Sequence, residues 1–434
     1  MAWFALALAL VAIAAAVLDV RLAVAGLGLA AMLAVAAIVR GHWVRVGAVA
    51  LVLILAGALL TGWEIRELRR PPTNTAPDVP RYQRPGQDRE VLLPLTVAIA
   101  DVQRLALLEM APGSDPVYEG FEPQFIDRGH ERGYRIIAYR NDGYVDYYDD
   151  LALSAEPDEA SRVTGKGRLN YSRQDLGAPV IERDEQGRAA IRFSFTDVEG
   201  RAIRADLRER TTKRSVPLNL LAPVGLSAVD PEYFPLFLLN DFEFFRVGGA
   251  DLDLTIDNRS MPLQDFPVPL PVQGQRRNFV KYTMDSEIIT VFPTSAPTAQ
   301  RVRTSGDSHQ DGEVTYLFDG EALERIFVRG TEIVFDPALD LSASGTGRLT
   351  MSSHPDRGLV GGPYEVSSDG TTARITLAID QVQVPRQRGL LYRLIVNDSS
   401  MFGTWPKAYS YAATIHRDSG AIDARWINAK PGGG

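Results

Sequence analysis

The chain has 434 residues, no cysteine, 46 basic and 54 acidic side chains, and a net charge of −8 with an isoelectric point near 5.3. That balance excludes a disulfide framework and thiol chemistry, and it argues against nucleic acid as a partner, because no basic stripe with interleaved aromatics is present. The length allows two domains of ordinary size beyond any membrane segment.

Three apolar runs open the chain, Trp3 to Leu18, Leu22 to Val39 and Val46 to Trp63, none with an internal charge. At ~1.5 Å per residue the second and third reach ~27 Å, close to the hydrocarbon thickness of a bilayer. A secretory signal peptide fits the first run poorly, since Met1-Ala2-Trp3 carries no basic residue. Charged residues mark the turns, and Trp3, Trp43 and Trp63 lie at segment ends, where an indole suits the headgroup layer. Residues 1–70 are therefore expected to form a three-helix transmembrane anchor in the lipid bilayer.

The basic loop from Arg40 to Arg45 has no acid nearby and favours the cytoplasm, which exports the large domain; Arg66, Arg69 and Arg70 pull the other way, interleaved with Glu64 and Glu67. Giving the short loop more weight leads to an extracytoplasmic domain on a bacterial inner membrane, the Arg-rich, Ala-rich composition pointing to a bacterium. Residues 71–89 then read as a Pro-rich linker.

From there period-two alternation dominates. Ile191, Phe193 and Phe195 alternate with Arg192, Ser194 and Thr196, and after the turn at Asp197 to Gly200 the pattern resumes in Ile203, Ala205 and Leu207. Similar units are Tyr134 to Tyr139 with Tyr144 to Tyr148, Leu252-Leu254-Ile256, Ile375-Leu377-Ile379, and Tyr409 to Trp426 around Asp418-Ser419-Gly420. Helical periodicity is confined to Val97 to Met110 and a short stretch near Glu321 to Arg325. The expected fold is mainly β: a large antiparallel β-sheet domain, barrel or sandwich. Gly165-Lys166-Gly167-Arg168-Leu169 is echoed by Gly345-Thr346-Gly347-Arg348-Leu349, as a duplicated domain or chance would produce; tandem lipocalin-like domains are an architectural analogy only. Composition divides the region into a first β-rich domain at 90–217, an apolar joint at 218–272 and a second β-rich domain at 273–434.

The joint concentrates Tyr233, Phe234, Phe237, Phe242 and Phe266 among leucines and prolines. Core strands explain such a stretch, and so does an apolar lining that contacts a ligand or partner. With Trp405, in the loop following Asn397-Asp398-Ser399-Ser400, these residues form the candidate partner surface. A second polar candidate is the tyrosine-rich hairpin, Tyr134, Tyr139, Tyr144, Tyr147 and Tyr148 with Asp146 and Asp149.

No catalytic residue, cofactor or metal ligand is assigned. His42, His130, His309, His354 and His416 are scattered, and Asp251, Asp253 and Asp257 lack the oxygen-rich loop of a calcium site. Nucleophile-elbow, phosphate-loop and dinucleotide signatures are missing. The leading expectation is a membrane-anchored binding or assembly protein that contacts a membrane protein complex or an envelope component. The competing one is an enzyme acting on a lipid or isoprenoid in a β-barrel pocket, with tyrosine or carboxylate acid/base groups.

Overall fold

The computed structural model describes residues 86–154, 166–213, 215, 217–222, 231–266, 275–295, 298–353, 358–383 and 407–429. The expected transmembrane anchor and Trp405 lie outside them, and no described helix is long and apolar enough to cross a membrane. What is described is mainly β, in several antiparallel sheets that include a curled half-barrel.

The chain enters through β1 (Glu90–Leu93) and then builds one side of a large sheet from β2 (Val97–Ala100), β3 (Val102–Glu109), β4 (Tyr118–Asp127), β5 (Arg132–Arg140), β6 (Val145–Asp150) and β7 (Arg168–Gln174). A five-stranded sheet starts with β8 (Val180–Arg183), β9 (Ala189–Thr196) and β10 (Ala202–Arg208). β11 (Leu218–Ala222) and β12 (Phe234–Arg246) return to the large sheet. β13 (Asp251–Ile256) and β14 (Arg259–Ser260) complete the five-stranded one. β15 (Arg277–Thr283) and β16 (Asp285–Val291) again join the large sheet, while β17 (Gln300–Arg303) pairs with β1. A second large sheet follows from β18 (Ser308–Asp311), β19 (Val314–Asp319), β20 (Ala322–Val328), β21 (Thr331–Leu339), β22 (Gly345–Ser353) and β23 (Gly358–Ser368). It ends with β24 (Thr372–Ala378), β25 (Gln381–Gln383), β26 (Tyr409–His416) and β27 (Ile422–Asn428).

Sheet membership crosses the boundaries that composition suggested. β12 is an inner strand of the first sheet rather than a joint, and β15 and β16, assigned by composition to a second domain, belong to that sheet too. The sequence echo also has no counterpart in pairing. β7 runs parallel to β6, whereas β22 lies antiparallel between β21 and β23.

The first sheet is simpler than its strand count, because two pairs of strands are collinear. β12 faces β16 from Phe234 opposite Val291 to Asn240 opposite Asp285, then faces β15 from Glu243 opposite Tyr282 without a change of register. On the other side β2 and β3 run against the same lane, from Val97 opposite Val291 to Leu105 opposite Thr283. The lane bends at a corner, where Asp241 takes a left-handed φ of 58°. Side-chain alternation inverts there, so that Phe237 and Leu239 before the corner join Phe242 and Phe244 after it in one apolar cluster. Ser286 Oγ donates to the Val102 carbonyl at 2.7 Å, and the Thr283 hydroxyl bonds the Asn240 carbonyl, tying the three lanes together.

The opposite face packs on both other sheets. Phe193 and Phe195 from the predicted hairpin meet Phe121 edge-on at 6.1 and 6.0 Å, and all six inward residues of that hairpin are buried. Their outward partners stay wet, as the alternation requires. Before the corner Phe234, Leu236 and Leu238 pack on the second large sheet, with Phe234 against Tyr409 at 5.3 Å and Trp426 at 5.5 Å. Trp426 Nε1 donates to the Phe292 carbonyl at 3.0 Å, satisfying the one polar atom of a buried indole. Within that sheet β23 pairs with β25 through Gly361 and with β24 from Tyr364, so the Gly361-Gly362 pair marks where the strand changes neighbour.

Two expected helices are strands. Residues 97–100 form β2 at the edge of the first sheet and 102–109 form the inner β3, where the consecutive Leu105 and Ala106 are both buried, which erases alternation and imitates a helical pattern. Residues 322–328 form β20, where a register shift between Leu323 and Arg325 breaks the alternation.

Candidate functional site

Two apolar clusters on the first sheet include no residue of the five-stranded sheet or of the second large sheet. One gathers Phe237, Leu239, Phe242, Phe244 and Phe266 with Leu105 and Ile288; the other gathers Ile137, Val145 and Tyr147. Both lie on the face turned away from those sheets, and the register links them. Phe244 is opposite Lys281, and Lys281 is opposite Leu107. Leu105 opposite Gln124 and Leu108 opposite Phe121 bracket Glu122 against Leu107, and Glu122 is opposite Ile137. Ile137 is opposite Tyr147, which is opposite Tyr171. Residues directly opposite share a face, so this is one row running from an aromatic wall to a tyrosine-rich end.

The middle of the row is polar and half-buried. Glu122 accepts from the Tyr139 hydroxyl at 2.6 Å through one oxygen and from Gln124 Nε2 at 2.7 Å through the other. Burial raises its pKa above the ordinary carboxylate value, and the hydrogen bonds and the nearby Lys281 only partly offset this. The Tyr139 phenol is pushed well up by burial and then by Glu122. Lys281 Nζ bonds Glu109 at 3.0 Å and lies 4.0 Å from the centre of the Phe279 ring. Beside the row Arg135 meets Asp149 through bonds of 2.7 and 2.8 Å and covers the Tyr147 ring at 5.3 Å.

The tyrosine-rich hairpin is therefore split between two environments. Tyr139, Tyr147 and Asp149 lie on this face, whereas Tyr148 and Asp146 point into the packing against the five-stranded sheet. There the Tyr118 hydroxyl reaches Asp146 at 3.0 Å and the Tyr148 hydroxyl at 3.0 Å, and Asn170 and Arg140 complete the shell around Asp146. Tyr134 packs on that same interior, and Tyr144 is exposed at the turn.

The aromatic candidates of the middle segment divide as well. Phe237, Phe242 and Phe266 come together on the candidate face, each buried to within 7% of full exclusion from solvent. Phe234 faces the second large sheet, and Tyr233, at the entrance to β12, is half-buried. Glu122, Gln124 and Lys281 were not singled out from sequence; alternation of Glu122 and Gln124 around Phe121 and Phe125 is the one local signal for them.

Asp251 and Asp253 are exposed on β13, with Asp251 paired to Arg210, and Asp257 accepts the Ala202 amide at 2.9 Å. Among the described residues no group of three His, Asp or Glu side chains is placed to hold a metal ion. The row can exchange hydrogen bonds, favours the protonated form of Glu122 more than an exposed carboxylate would, and offers an adjoining apolar wall. Comparison with protein-family models, with curated proteins and with solved structures gives no match.

Proposed function

We propose that this chain is a membrane-anchored binding or assembly protein whose first sheet presents the Glu122 row to an apolar-and-polar partner surface. The observation that carries the reading is the row itself. A half-buried Lys281, Glu122 and Tyr139 adjoin the Phe242, Phe244 and Phe266 cluster on a face whose clusters take no residue from the other two sheets. Binding faces combine apolar anchors with a few placed polar groups in this manner. The uncharged N-terminal runs supply the anchor, and the basic Arg40 to Arg45 loop supports a bacterial inner-membrane protein with this domain outside the cytoplasm.

The raised pKa of Glu122 and its hydrogen bond from Tyr139 favour a second reading, an acid/base enzyme for a lipid or isoprenoid substrate. A photo-crosslinking amino acid at Lys281, and a control at exposed Val198 in the turn between β9 and β10, separate these possibilities in native membranes. The binding reading expects a discrete protein adduct at position 281 that Glu122→Gln weakens, and none at 198. A lipid-sized adduct at 281 supports the enzyme, and equal labelling at both positions removes the site.

A further inference from the structure

A polar seam joins the first sheet to β8 of the five-stranded one, and it meets β12 at its bend. Arg183 of β8 passes over the Tyr282 ring, 5.5 Å from its centre, to reach two carboxylates of β12. Its Nη1 donates to Asp241 at 2.9 Å and its Nη2 to Glu243 Oε2 at 3.0 Å. The Tyr282 hydroxyl donates to the same Glu243 oxygen at 3.0 Å, and Arg277 pairs with Glu243 from β15 at 3.7 Å. Behind them Arg246 is bound to Glu209, with 2.9 Å from its Nε. Asp285, at the start of β16, is opposite Asn240 and so stands next to Asp241.

The charges of this seam do not balance. Four carboxylates, Asp241, Glu243, Asp285 and Glu209, meet three guanidiniums, those of Arg183, Arg246 and Arg277. Glu209 and Glu243 are enclosed but each has a guanidinium of its own, Arg246 and Arg277, and Asp285 is exposed to water. Asp241 has neither advantage: its side chain is only 30% exposed, it shares Arg183 with Glu243, and Asp285 is its neighbour. Partial burial and nearby like charges both disfavour an ionised carboxyl. Burial first, then Glu243 and Asp285, push the Asp241 carboxyl above its ordinary value, against the pull of Arg183. The same residue carries the left-handed φ of 58° on which the bend depends, a conformation that non-glycine residues hold at a cost.

We infer that the bend in β12 is a proton-responsive hinge, relaxed while Asp241 is ionised and tightened when its carboxylate is neutral. A neutral Asp241 still accepts from Arg183, but it no longer repels Glu243 and Asp285 and it leaves the guanidinium charge to Glu243. The hinge joins two sets of contacts. Phe237 and Leu239 before the bend and Phe242 and Phe244 after it close one apolar cluster, and β8 is tied to the bend through Arg183. The hinge does not depend on the function proposed for the Glu122 row.

Melting temperatures of the full chain in detergent, taken over a pH series for wild type and Asp241→Asn, test this. Asn keeps the shape, accepts from Arg183 and suits a left-handed φ, so the variant differs mainly in charge. Folded Asp241 binds its proton more tightly than the unfolded chain does, so wild type should lose stability against the variant as pH rises through the raised pKa. The two should melt alike below the ordinary value of 3.8, and the variant should melt about 1–2 °C higher at neutral pH. Titration of Glu122 is common to both proteins and cancels in the difference. In an Asp285→Asn background the same difference should shrink, because one repelling charge is gone. Hydrogen exchange reads the hinge itself: at neutral pH residues 180–183 and 237–246 should exchange more slowly in Asp241→Asn than in wild type, and alike in acid. A variant that melts below wild type at neutral pH, a difference that does not change with pH, or a stability gain without slower exchange at the bend overturns the inference.

Discussion

Arg135 and Asp149 sit directly opposite each other on β5 and β6, joined by two hydrogen bonds and both shielded from solvent. Burial works against the guanidinium charge, but the Asp149 carboxylate outweighs it and holds the Arg135 pKa above its ordinary value. Breaking such a pair costs more than the pair contributes, because the survivor is a buried charge without its counterion. Asp149→Asn should therefore destabilise the protein by ~3–5 kcal/mol, and replacing both, Arg135→Met with Asp149→Leu, should recover most of that loss. Denaturant titration of the two variants in detergent decides; equal destabilisation by single and double changes would show that packing rather than charge dominates.

Glu122 predicts a pH dependence of definite sign. Its folded-state pKa lies above the ordinary value of about 4.5, so the folded protein binds the proton more tightly than the unfolded chain. Stability contributed by that proton is fully present below about 4.5 and is lost as pH rises through the raised pKa. Glu122→Gln lacks this loss. The stability of the variant relative to wild type should be flat at the acid end and increase with pH across that window, read from melting temperatures over a pH series. A difference that does not vary with pH would contradict the assignment.

Phe234 and Phe242 test the two faces of one strand. Phe234→Ala removes a fully buried ring from the contact with Tyr409 and Trp426 and should cost ~3–5 kcal/mol. Phe242→Ser should cost ~3 kcal/mol or more, since Phe242 is packed edge-on against Phe244 at 5.3 Å. A Phe242→Ser protein of near wild-type stability would instead assign that ring to the contact surface alone.

At Gly362 the limitation is space. A Cβ there would lie 1.7 Å from the Ala378 carbonyl oxygen, a backbone atom that cannot rotate away. Gly362→Ala should destabilise by ~2 kcal/mol or more, while Gly370→Ala, with nothing within reach of the added carbon, carries only the strain of its positive φ. Unfolding midpoints of the two variants should differ in that order.

Legibility in the sequence followed solvent exposure. The hairpin of Ile191 to Leu207 could be read because one face is wet, and each inward residue was identified by alternation. Residues 102–109 could not, because β3 is an inner strand that buries Leu105 and Ala106 in succession and so leaves little alternation to read. The corner at Asp241 was hidden for another reason: a single non-glycine residue with positive φ inverts the facing of Phe242 and Phe244, and nothing local marks it. The Glu122 row draws Phe244, Lys281, Glu122 and Tyr147 from segments far apart in the chain. Each is ordinary in its own strand, and only the register brings them together.

The collinear lanes bear on how the protein is made. Residues 97–109 and 277–291 are neighbours in the finished sheet, so during synthesis the edges of β3 and β12 wait for a segment made long after the first of them. Until it arrives, two hydrogen-bonding edges are open to other chains. If the domain is anchored as proposed, that anchor would hold the open edges at the membrane surface and keep neighbouring copies from meeting freely while the last lane is delivered.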